Sequence, residues 1–189
     1  ELEHSPCKKC NSDKFGGGKN SNIHQKVVNF LKLNNVNLIE NTFILGNREI
    51  DILLVDYNIG LEINGLYWHS AERKGKSYHQ DKTNLAKEKG ISLIHLWEDD
   101  INFKFDIICS MLLNKLNKSG KIFARKTKIK LVDNKIANKF LEDNHLQGSC
   151  NSKTKIGLFY HNELVSLMTF GKSRFEKNST ELIRFCNKL

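Results

Sequence analysis

Residues 91–97 (ISLIHLW) restrict the fold of this chain more than any other segment. The run is almost continuously apolar and is bounded by Gly90 and by Glu98-Asp99-Asp100, which reads as a strand covered on both faces. A second strand-like run, Ile59–Asn64, lies upstream, and residues 77–89 between the two read as a helix ended by Gly90. A strand, a helix and a strand in one sheet call for a right-handed crossover with the two strands parallel. Before it, Glu49–Asp56 alternates: Ile50, Ile52 and Leu54 fall on one side, and Asp51, Leu53 and Val55 on the other. Tyr57-Asn58 turns that segment into Ile59–Asn64, so the two read as a β-hairpin.

The flanks complete the domain. Ser21 or Asn22 is placed to cap a helix over Ile23–Leu33, with Ile23, Val27, Phe30 and Leu31 at helical spacing. Thr42–Leu45 is a short strand candidate, and Asp99 or Asp100 a cap for a helix over Ile101–Leu116. The order α-β-β-β-α-β-α predicts an α/β domain over residues 21–117, a small mixed sheet flanked by helices.

Outside it, residues 1–20 read as a tail, Gly-rich from residue 11, and 134–189 as a smaller α+β module with a helix near Asn134–Asn144. That module has strands near Lys155–Tyr160, Leu164–Phe170 and Thr180–Phe185, and the sequence stops at the last of them, so the unit reads as partial. Residues 118–133 between the units read as a basic linker. From Lys115 to Lys139 there are nine Lys and Arg against Asp133 alone, so this stretch carries +8 of the chain's net +9. Such a concentration favours a polyanion as partner.

With 39% hydrophobic residues in 189, the chain has material for a core. No apolar run approaches a membrane span and no secretory leader opens the sequence, so a soluble cytoplasmic protein is expected, with no membrane partner. Five cysteines, an odd number, argue against a disulfide framework. Cys7 and Cys10 have the spacing of half a tetrahedral zinc site. Two readings stand: half of a zinc ribbon, or two free thiols on a tail.

Groups capable of chemistry are densest between Asp51 and Lys82. Asp51 sits on one strand of the hairpin, and Glu62 and Asn64 share one face of the next. Two carboxylates on adjacent strands suit a hard divalent cation, Mg²⁺ or Mn²⁺, which prefers oxygen ligands. Solvated strand-end acids are the plainer alternative for each alone. His69 follows a tight turn at Gly65 and is placed to act as a general base. Tyr78, Asp81, Lys82 and Leu85 fall on one face of the helix. Tyr67 and Trp68 read either as wedges between base pairs or as packing at the sheet end. Arg73, Lys74 and Lys76 lie next to the site with Lys82, and Arg125, Lys126, Lys128 and Lys130 in the basic stretch, as candidate phosphate contacts. His95 and Trp97 read as core.

Four ordered blocks carry a family resemblance: Arg48-Glu49-Ile50-Asp51-Ile52-Leu53, Gly60 through His69, Tyr78-His79-Gln80-Asp81-Lys82, and Ile94 through Asp100. Together they resemble the very-short-patch-repair branch of the PD-(D/E)XK nuclease superfamily, and within it the phage- and intron-encoded homing endonucleases with a Glu-Asp-x-His-Asp active-site pattern. The resemblance implies a restriction-endonuclease-like core and Mg²⁺-dependent hydrolysis of double-stranded DNA in a host cell's cytoplasm; a second copy of the chain, as a homodimer, is a further candidate partner. Asp51 would be the central metal ligand, with Glu62, the Ile63 carbonyl and Asp81 as further ligands. His69 would be the catalytic histidine, and Asn64 would replace the superfamily's usual lysine. The family's first-helix glutamate is absent here; His24 fills its slot, with Gln25 next in line. A binder that has lost cleavage and a mismatch-nicking enzyme are the alternatives.

The second unit, through Phe140–Gly148, Gly157–Tyr160 and Leu164–Gly171, resembles a module fused to such nucleases in phage proteins and the start of an acetyltransferase fold. It has no Gly-rich pyrophosphate turn, so acetyl-CoA binding is not expected; a DNA-contacting or positioning role is. Replacing Arg125, Lys126, Lys128 and Lys130 together by Gln is expected to flatten the dependence of log K on log salt for duplex DNA by about 3 to 4. A salt titration of binding by fluorescence anisotropy measures that slope, and an unchanged slope would remove the stretch from the interface.

Overall fold

The computed structural model describes residues 21–65 and 78–189. Its fold is mixed α/β with two four-stranded sheets, and the chain divides into two compact units between Glu98 and Asp99.

In the first unit the order is α1 (Asn22–Leu33), β1 (Leu38–Thr42), β2 (Ile50–Leu54), a single 3₁₀ turn (Val55–Tyr57), β3 (Ile59–Asn64), α2 (Tyr78–Glu88) and β4 (Ser92–Trp97). The sheet runs β1-β2-β3-β4. Helix α1 begins where the Ser21 side chain accepts the His24 backbone N–H at 3.3 Å, and it buries His24, Val27, Val28 and Leu31. The hairpin expected from the alternating pattern forms: β2 and β3 are antiparallel, with Ile52 opposite Leu61, and Asn58 turns between them at φ 51°. Strands β3 and β4 are parallel, from Ile59 opposite Ser92 to Asn64 opposite Trp97, as the crossover requires. Gly90, at φ 74°, takes the chain out of α2 in a conformation that a side chain would strain. Leu45, Ile50, Leu53, Ala86 and Ile91 form one apolar cluster, with Leu85 and Leu93 packed against it.

Three elements differ from expectation. The first strand is Leu38–Thr42 and not Thr42–Leu45: Asn41 adopts φ 53°, Phe43 to Gly46 closes a turn, and Leu45 is buried as a turn residue. Strand β4 is only partly covered; Leu96 is buried, but Trp97 is 39% exposed, so its apolar content overstates its burial. The helix expected over Ile101–Leu116 is two, α3 (Glu98–Phe103) and α4 (Phe105–Lys115), separated by Lys104 at φ −133°. Asp99 and Asp100 therefore lie inside α3 and not at a cap.

The second unit continues with α4, whose Ile107, Ile108 and Leu112 are buried. It then has a 3₁₀ turn (Ala124–Lys126), β5 (Lys128–Leu131), α5 (Asn134–Asn144), β6 (Thr154–Tyr160), β7 (Glu163–Lys172) and β8 (Thr180–Asn187). The sheet is antiparallel throughout, in the order β5-β6-β7-β8. Strand β5 lies in the stretch read as a linker: Lys128-Ile129-Lys130-Leu131 alternates with period two and pairs with Ile156–Phe159. Asp133 caps α5 through the Lys135 N–H at 2.8 Å, and the helix packs Ala137 and Leu141 against Leu167 and Cys186. No helix among the described residues is long and apolar enough to cross a membrane.

Candidate active site

The hairpin places two carboxylates side by side. Asp51 lies one step beyond the Ile52–Leu61 pair, which brings it level with Glu62 on the neighbouring strand. Its Oδ2 accepts the Ile63 backbone N–H at 2.7 Å, so the Asp51 carboxylate is tied to the strand that carries Glu62. Glu62 is 6% exposed and is met from α2 by Lys82, 5% exposed, whose Nζ donates to Oε2. The other oxygen of Glu62, Oε1, is buried with no hydrogen-bond partner among the described residues. Burial, and then the Asp51 charge, push the Glu62 carboxyl up to about 7, against the lowering effect of Lys82.

A cleft of about 310 Å³ opens on this group, lined by Arg48, Asp51, Glu62, Ile63, Tyr78 and Lys82 among others. Asp81, one residue before Lys82, is exposed and lines a neighbouring cleft of about 270 Å³ with Arg48, Asn84, Leu85 and Glu88. The helix spacing that put Asp81 and Lys82 near one another is therefore resolved by burial in favour of Lys82. Lys82, expected as a phosphate contact, lies inside the site as the partner of Glu62.

Asn64 is 1% exposed and its Nδ2 bonds to His95 Nδ1 at 3.2 Å. His95 Nε2 lies 3.0 Å from Thr83 Oγ1, which itself donates to the His79 carbonyl at 2.8 Å. With Thr83 so engaged, the self-consistent tautomer carries its proton on Nε2 and accepts at Nδ1. Burial, and then His79, hold the His95 pKa below the ordinary imidazole value. His95 thus braces Asn64 and α2 behind the carboxylates, and the Trp97 ring lies 5.9 Å from that of His79, tilted by 56°.

His24 reaches the site from α1. It is 4% exposed, and its Nε2 lies 3.3 Å from the Asp51 carbonyl. Its Nδ1 lies 3.7 Å from Glu40 Oε2 on β1, and Lys32 holds the other Glu40 oxygen at 3.2 Å. Gln25, the other residue expected at this slot, is exposed. Sequence reasoning missed Glu40, although it is the only acid between Ser21 and Arg48. It also gave Arg48 no role.

Tyr67, Trp68, His69, Arg73, Lys74 and Lys76, and the Cys7 and Cys10 pair, lie outside the described residues. Among the described residues no group of three or more His, Cys, Asp or Glu side chains is arranged around one cation position. Arg125, Lys126, Lys128 and Lys130 are exposed in the second unit; Arg125 and Lys126 stand over the Phe123 ring, and Lys130 over Phe159.

No protein-family model and no curated protein matches the chain. Among solved structures, it is similar to the catalytic domain of the homing endonuclease I-Bth0305I, with 15% identity and a TM-score of 0.44 over 53% of this chain and 100% of that one.

The Glu62 environment is directly measurable. In metal-free protein, ¹³C NMR of the Glu62 carboxyl is expected to titrate near pH 7, and Lys82→Met should move it higher, because Lys82 stabilises the carboxylate. Since the folded state then holds a proton that the unfolded chain has released, this group lowers stability as pH rises from about 4.5 to about 7. An ordinary midpoint near 4.5 would contradict the burial and the pairing.

Proposed function

We propose that the chain is a metal-dependent DNA endonuclease, of homing type, that hydrolyses phosphodiester bonds at the Asp51–Glu62 cleft. One observation carries this reading: two carboxylates on adjacent strands, each fixed by a separate donor, share a polar cleft with a buried carboxylate oxygen, Glu62 Oε1, that no group among the described residues satisfies. A buried polar atom without a partner is costly, and here its position suits an external cation.

The donor set fits Mg²⁺ or Mn²⁺. Asp51 and Glu62 offer carboxylate oxygens and Ile63 lines the same cleft, while a hard cation fills its remaining positions with water. When bound, the cation supplies positive charge that offsets the phosphate and acidifies water. The protein's own groups do the rest. The Ile63 N–H fixes the direction of the Asp51 carboxylate. Lys82 adds a cation in the cleft, where it favours the charge that develops on the phosphate oxygens in the transition state. It also favours the ionised form of Glu62, which ligation requires. His69, on the resemblance, receives the proton of the attacking water, and Asp81 borders the site from the neighbouring cleft.

The missing first-helix glutamate raises a second reading, a binder without cleavage. The position of Glu40 supports the catalytic one, since it sets a carboxylate 3.7 Å behind His24, which itself lies 3.3 Å from the Asp51 carbonyl. Incubating the chain with supercoiled plasmid is expected to give nicked or linear product only with Mg²⁺ or Mn²⁺. Asp51→Ala and Glu62→Gln should each slow single-turnover cleavage by about 10²-fold or more. Full activity in both variants would refute the assignment. If the parent is inert, cleavage gained by His24→Glu would favour a nuclease weakened at this position, and continued inertness the binder.

A further inference from the structure

Arg48 stands between two clefts and has no role in the chemistry above. It immediately precedes Glu49 at the entry to β2, and it lines both the cleft of Asp51, Glu62 and Lys82 and the neighbouring cleft of Asp81, Asn84 and Glu88. Its guanidinium carbon lies 5.4 Å from the centroid of the Tyr78 ring, at the start of α2. At that separation a cation is attracted to the ring face, which restricts the guanidinium. One of its terminal nitrogens, Nη1, is buried and has no hydrogen-bond partner among the described residues.

These features are unusual together. An arginine lining clefts with five carboxylates, Glu49, Asp51, Glu62, Asp81 and Glu88, is expected to close on one of them. Yet Arg48 forms no ion pair with a described carboxylate, and Glu62 is taken by Lys82. The guanidinium is a planar fork of donors that cannot lose its charge, and its geometry matches two oxygens of one phosphate. A fork oriented by an aromatic ring, with a buried N–H unsatisfied and open clefts on both sides, is arranged for an anion that arrives with the substrate.

We propose that Arg48 grips a backbone phosphate of the DNA, adjacent to the phosphodiester presented to Asp51 and Glu62, with Tyr78 holding the guanidinium in place. This rests on the endonuclease reading for the identity of the substrate, and it assigns Arg48 to binding and registration of the strand. Tyr78 is a positioning residue that acts through Arg48.

The test is equilibrium binding of a fluorescein-labelled duplex to the full chain, followed by anisotropy over a salt series, with Ca²⁺ in place of Mg²⁺ so that binding is read without cleavage. Arg48→Ala is expected to weaken binding about tenfold or more and to reduce the slope of log K against log salt by about one. Arg48→Lys keeps the charge and guards against a folding artefact; it should retain the slope but lose about threefold or more in affinity, because the fork is gone. Tyr78→Phe should match the parent, and Tyr78→Leu should fall between the parent and Arg48→Ala. Binding by Arg48→Ala within about twofold of the parent, with the slope unchanged, would overturn the proposal. So would parental affinity in Arg48→Lys. The cleavage assay on Asp51→Ala is independent: Arg48-dependent binding without cleavage by the parent would remove the hydrolytic reading alone, whereas Asp51-dependent cleavage with no effect of Arg48 would remove the grip alone.

Discussion

The buried ion pair between Glu62 on β3 and Lys82 on α2 is the interaction on which the first unit turns. Two charges at 6% and 5% exposure carry a desolvation cost that their attraction only partly offsets, so such a pair is poor evidence of stability. Its effect is geometric. It fixes the register of α2 against the hairpin, and the neighbouring residues follow: Thr83 meets His95, His95 meets Asn64, and Ala86 enters the apolar cluster with Leu53 and Ile91. Removing either partner would leave an unpaired charge among these contacts, which is far more costly than the pair is beneficial.

The same pair sets the electrostatics of the cleft. Glu62 is held near its ionisation midpoint at neutral pH by burial and by Asp51, with Lys82 opposing. A carboxyl in this condition changes its protonation readily, and added positive charge beside it favours the ionised form. Asp51 differs in environment, because its carboxylate accepts a backbone N–H from the adjacent strand. The two acids, level with each other on adjacent strands, are thereby prepared differently: one anchored, the other responsive to charge.

Much of this was legible in the sequence, and the part that was not has physical causes. The hairpin and the parallel crossover follow from the alternation in 49–64 and from the helix before ISLIHLW, since side-chain period and strand connection leave few topologies. The positions of Asp51, Glu62 and Asn64 on one side of that hairpin follow as well. Burial on the helix does not: Asp81 and Lys82 are adjacent, and only packing decides that the lysine turns inward and the acid outward. Glu40 and Arg48 escaped notice because their contacts, with His24 and Tyr78, join residues 16 and 30 positions apart. The break at Lys104 and the strand Lys128–Leu131 were hidden for opposite reasons, an unbroken apolar period in one and a charge run over a short alternation in the other.

In the second unit a basic strand, β5, forms one edge of a sheet packed by α5; its Lys130 stands over the Phe159 ring, and Lys126, just before it, over Phe123. This agrees in character with the excess of positive charge, while the groups suited to hydrolysis lie in the first unit. In the endonuclease we propose, Asp51 and Glu62 jointly hold a divalent cation for reaction at DNA. Electron paramagnetic resonance of Mn²⁺ bound to the full chain with an uncleavable phosphorothioate duplex tests this. A bound Mn²⁺ signal that Asp51→Asn and Glu62→Gln each abolish is the expected result. Mn²⁺ binding that is unchanged in both variants would contradict it.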